Sequence, residues 1–68
     1  MKDKAFNNSV QVEIEATKLR ELYDRLDDEA TPYEMEVKRM AKGIRLVTIS
    51  CDKSNKDYFS TLLYGYKS

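Results

Sequence analysis

Cys51 is the one strong nucleophile in a chain of 68 residues that holds no histidine. Ser-His-Asp and Cys-His arrangements are therefore excluded, together with the imidazole that most often carries general acid–base chemistry near neutral pH. The apolar, β-branched stretch from Ile44 to Cys51 implies a buried thiol with a raised pKa and a structural role. Asp24, Asp27, Asp28 and Glu29 are the remaining acid–base candidates. Adjacent members point in different directions from a helix, so a solvated acidic patch is expected there rather than a paired acid and base. One cysteine without histidine lacks the soft ligands of a structural zinc site, and Gly43 and Gly65 stand alone rather than in a phosphate-cradling loop. The sequence thus predicts a protein that is not an enzyme and that uses no metal or cofactor.

Binding chemistry is what the remaining residues offer. Twelve basic residues balance twelve acidic ones, which argues against a general electrostatic grip on nucleic acid or anionic lipid. The balance is uneven along the chain: residues 1–36 carry a net charge of −5 and residues 37–68 one of +5. Lys38, Arg39, Lys42 and Arg45 open the basic half, and aromatic residues follow them. Such a combination can hold phosphates and stack bases, which makes a nucleic-acid-binding regulator the alternative function.

Tyrosine is the more suggestive residue type, with five in the chain and no tryptophan. Its large apolar area, hydrogen-bonding tip and low rotamer entropy concentrate it at protein–protein interfaces. Tyr58, Tyr64 and Tyr66, with Lys42 and Arg45, are the predicted partner-binding residues. The leading expectation is a small regulator or inhibitor that docks on a larger protein, with a homodimer as a further possibility, since an unpaired terminal strand can add to another chain. An acidic surface at Asp24, Asp27, Asp28 and Glu29 would face a basic partner.

These residues need elements to position them. Val10, Val12, Ile14 and Ala16 alternate with polar residues and predict a half-buried strand. At Thr17 the period changes: Leu19, Leu22, Tyr23, Leu26 and Ala30 share one helical face. Thr31-Pro-Tyr-Glu34 has the form of a capping box, predicting a second helix from Pro32 to about Lys42 that ends at Gly43. Its N-terminus would offset the acids that precede it. Tyr33, Met35 and Val37 also alternate with charged residues, so a strand turning at Ala41-Lys42-Gly43 competes with that helix. Ile44–Cys51 predicts a buried strand and 52–57 a polar turn. The aromatic and threonine content of 58–66 favours a third strand over a short helix capped by Asn55.

The expected fold is therefore α+β, in the order β-α-α-β-β, a small antiparallel sheet against two helices, with β-α-β-β-β as the alternative. Residues 1–9 are expected to form a flexible N-terminus and 10–68 a single domain. A core of this size supplies only about 3–5 kcal/mol, and with no disulfide to staple it, association with another chain is the remaining support. The N-terminus lacks the apolar run of a signal peptide, no segment has the apolar length of a membrane span, and the lone thiol suits the cytoplasm.

Overall fold

The computed structural model describes residues 6–67. Strand β1 (Asn8–Glu15) leads through a 3-10 turn (Ala16–Lys18) into helix α1 (Leu19–Asp27). Strands β2 (Glu34–Ala41) and β3 (Ile44–Cys51) form a hairpin, and a second 3-10 turn (Lys53–Asn55) opens helix α2 (Lys56–Tyr64). The sheet has the order β1-β3-β2, with β3 antiparallel to both neighbours. Strands β1 and β2 are consequently parallel, joined by α1 and separated by β3, which is a split β-α-β arrangement.

Period-2 alternation puts Val10, Val12 and Ile14 of β1 and Val47, Ile49 and Cys51 of β3 on one face. Leu22 and Leu26 of α1 and Phe59 and Leu63 of α2, each pair four residues apart on its helix, complete the buried core on that face. Phe59 is the largest fully buried side chain, and the ring of Tyr33 lies 5.6 Å from its ring, centroid to centroid. The other face of the sheet carries Gln11, Glu13, Glu36 and Lys38 to solvent. An antiparallel sheet tolerates that one-sided burial.

The α+β class and a small antiparallel sheet on two helices match the expectation, but one helix and one strand exchange places. Residues 34–41 are a strand. Met35 and Val37 pair directly with Ile49 and Val47 of the central strand, and that apolar pairing outweighs the helix-start chemistry of Thr31-Pro-Tyr-Glu34. Gly43, the expected helix terminator, instead takes φ +79° at the hairpin turn, the left-handed value that the third position of a type II turn requires. Residues 56–64 are a helix in place of the expected strand, with Asn55 at its N-cap position. Phe59, Leu62, Leu63 and Tyr66 follow i, i+3, i+4, i+7, and only a helix turns all four toward the core.

Strand β1 begins at Asn8, two residues before the alternation that announces it, and so takes Asn8 and Ser9 from the predicted N-terminal tail. Residues 1–5 of that tail lie outside the described residues. No helix among the described residues is long and apolar enough to cross a membrane.

Candidate functional site

The strand directions divide the molecule into two ends. At one, the β2–β3 turn lies beside the start of α1, where Ala16 donates its N–H to Gly43 O at 2.8 Å. At the other, α1 ends and α2 begins.

At the helix-junction end, charge is matched within the chain. Arg25 Nη1 lies 3.1 Å from Glu29 Oε1, Arg25 Nη2 donates to Tyr58 Oη at 2.7 Å, and Tyr58 Oη donates to Glu29 Oε1 at 2.6 Å. Glu29 Oε2 accepts the Thr31 N–H at 3.1 Å. These donors, the Tyr58 hydroxyl above all and then Thr31 and Arg25, overcome the desolvation of the carboxylate and lower its pKa from 4.5 to about 2. The Tyr58 ring meets Phe59 edge-on, with centroids 5.1 Å apart. Tyr58 thereby ties α2 to α1, and its hydroxyl is committed to partners within the chain.

The predicted acidic patch is divided by the same contacts. The Glu29 side chain is 6% exposed and turned inward, whereas Asp24, Asp27 and Asp28 stay on the surface of α1. Asp27 and Asp28 sit at the negative end of the α1 dipole, and the helix whose N-terminus begins at the same end is α2, not one starting at Pro32. No group of three or more carboxylates or thiols among the described residues converges as metal ligands would. Cys51 is buried, and burial pushes its thiol pKa up.

The hairpin end is built differently. Arg39 of β2 and Arg45 of β3 are direct cross-strand partners, and Arg45 is in turn opposite Ile14 of β1. Directly paired residues of an antiparallel sheet project from the same face, so both guanidinium groups belong to the helix-bearing face beyond its apolar core. Met40 is the extra residue of a bulge between Arg39 and Ala41 and is 49% exposed. Such bulges re-aim side chains and recur beside functional sites. A shallow concavity is lined by Arg39, Met40, Ala41, Lys42, Gly43 and Arg45. Arg45 Nη1 donates to the Ile44 carbonyl at 3.2 Å, and among the described residues neither arginine has a carboxylate within ion-pair distance.

Lys67 extends this row. It bridges to Ile14 on the free side of β1, and its Nζ lies 5.7 Å from the centre of the Tyr64 ring, which is 61% exposed. Tyr66 is half-buried against the core. Lys42 is exposed in the turn. The fold thus places Lys42, Arg45, Tyr64 and Tyr66 of the predicted partner-binding set at one end of the molecule, with Arg39, Met40 and Lys67, and Tyr58 at the other. A strand would have aligned Tyr58, Tyr64 and Tyr66 on one face, but the 100° per residue of a helix sends Tyr58 and Tyr64 to different sides. Lys38 separates from Arg39 and Arg45, because it pairs with Leu46 on the opposite face of the sheet.

Comparison of the chain with protein-family models, curated proteins and solved structures returned no match. What the site can bind is accordingly a matter of its own chemistry. Two guanidinium groups, each a rigid planar fork of donors, suit carboxylate or phosphate oxygens better than any neutral group.

Proposed function

We propose that this chain is a cytoplasmic protein-binding module, a regulator or inhibitor that docks its hairpin end on an acidic segment of a larger protein. The observation that carries this reading is the direct pairing of Arg39 with Arg45. Like charges directly opposite each other on a sheet are destabilising, and a local rule broken without structural compensation marks a functional position. A bound carboxylate relieves the repulsion, so binding and local stability are coupled there. Met40 and Tyr64 supply exposed apolar and aromatic area around the cations, the mixture that protein interfaces favour. Two copies meeting through this end would bring like charges together, so the partner is a different protein rather than a second copy.

Nucleic acid could use the same guanidinium groups. Against it stand the overall neutrality of the chain, the position of Lys38 on the other face, and the commitment of Tyr58 to Glu29. The test is a titration followed by NMR, using a synthetic glutamate-rich peptide and, separately, a single-stranded oligonucleotide of similar length at two salt concentrations. The peptide is expected to shift the Nε–H signals of Arg39 and Arg45 and the ring signals of Tyr64, and an Arg39→Ala/Arg45→Ala variant with an unchanged fold is expected to lose that response. Tighter binding of the oligonucleotide, falling steeply with salt, would establish the nucleic-acid reading instead.

A further inference from the structure

The two edges of the sheet are protected unequally. The outer strand β2 is broken by the bulge at Met40 and carries Lys38 and Arg39, the devices by which proteins blunt an exposed edge. The opposite edge, β1, keeps an unbroken register with β3 from Asn8 to Glu15 and contains no lysine, proline or bulge.

The Ala16 N–H to Gly43 O bond fixes which backbone groups of β1 face β3. Alternation along an antiparallel pair directs the N–H and C=O groups of Val10, Val12 and Ile14 toward β3 and those of Ser9, Gln11 and Glu13 toward the open side. The chain itself begins to fill that side: Lys67, just after α2, forms an antiparallel bridge at Ile14, the first step of a fourth strand, which covers the Glu13–Glu15 end and leaves the stretch from Ser9 to Gln11 open.

We propose that the edge of β1 from Ser9 to Gln11 receives, by antiparallel strand addition, an extended segment of a partner protein in which apolar residues alternate with lysine or arginine. The side chains of β1 define that pattern. Val10 and Val12 line the helix-bearing face, where an added strand would set apolar residues beside them. Gln11, Glu13 and Glu15 line the open face, and among the described residues neither glutamate has a cation within ion-pair distance. Basic side chains on the added strand would answer them. Helix α2 packs on β1. Two copies paired edge to edge would bring helices about 10 Å across onto strands about 4.8 Å apart, which disfavours a homodimer through this edge.

This edge is separate from the arginine pair, and its test reads different residues. A heptapeptide of alternating valine and lysine is added to the protein, and amide hydrogen exchange is measured residue by residue. The Ser9 and Gln11 amides are expected to slow by at least about tenfold on binding, while Val10 and Val12, already bonded to β3, change little. N-methylation of the lysine amides of the peptide, which would face β1, should abolish the effect, and N-methylation of the valine amides should not. Gln11→Pro removes one open-side donor and should abolish binding. Should that variant fail to fold, Glu13→Lys should weaken the valine-lysine peptide and admit a valine-glutamate one. Unchanged exchange at Ser9 and Gln11 at millimolar peptide would overturn the proposal. So would a dimer mass by light scattering, accompanied by slowed Ser9 and Gln11 exchange without any peptide, which would make the occupant a second copy.

Discussion

The two ends of the molecule treat charge in opposite ways. At the helix junction, Arg25, Glu29 and Tyr58 satisfy one another and hold α1 to α2. At the hairpin, Arg39 faces Arg45 with no carboxylate at hand among the described residues. One cluster commits its charge within the fold; the other leaves it without a carboxylate among the described residues, which is the feature the proposed acidic partner would use. Counting charges along the chain does not distinguish them, because each cluster contains arginine and both lie near exposed tyrosines.

Phe59 is fully buried and in ring contact with both Tyr33 and Tyr58. Phe59→Ala should cost about 3–5 kcal/mol in a denaturant titration, enough to leave so small a domain largely unfolded. Retention of most of the stability would show that the junction does not anchor the fold.

Acidification is the next probe. The pKa of Glu29 is lower in the folded chain than in the unfolded one, so its contribution is complete above about pH 4.5 and is lost as the pH falls toward about 2. The thermal midpoint should decline through that window, and Glu29→Gln should flatten the decline. Equal pH dependence in the variant would remove Glu29 from the account. At the hairpin end the opposite outcome is expected. Tyr64→Ala should change stability by no more than about 0.5 kcal/mol, while weakening the response to a glutamate-rich peptide. A larger loss of stability would make Tyr64 a structural residue like Tyr58.

Much of the fold was legible because burial imposes a period. Strand β1 shows its alternation openly, and the helical stripe Leu19, Leu22, Leu26 matches α1. Strand β3 was recognisable from its β-branched residues. Residues 32–42 misled because local capping chemistry and period-2 alternation were superimposed there, and the decision lay in Val47 and Ile49, the partners that β2 finds in β3. In 58–66, β-prone residue types concealed a helical spacing of Phe59, Leu62, Leu63 and Tyr66 that was present all along.

The candidate site was legible only in part. Lys42, Arg45, Tyr64 and Tyr66 could be named from residue type, but the direct pairing of Arg39 with Arg45 depends on a register that exists only once β2 is a strand. Lys67 gave no signal in the sequence beyond its charge, since its place beside Ile14 follows from the path of α2. Tyr58 and Glu29 lie far apart in sequence and carry no pattern that predicts their contact.

Whether the arginine pair is kept at a cost to the fold in order to bind an acidic partner, as proposed, is decided by Arg39→Glu. That change turns a like-charge cross-strand pair into an opposite-charge one while leaving the core untouched. Measured side by side, the denaturation midpoint and the affinity for a glutamate-rich peptide should move in opposite directions: stability should rise by about 0.2–1 kcal/mol, and peptide binding should be lost. A variant that is less stable, or one that binds the peptide as well as the parent chain, would contradict it.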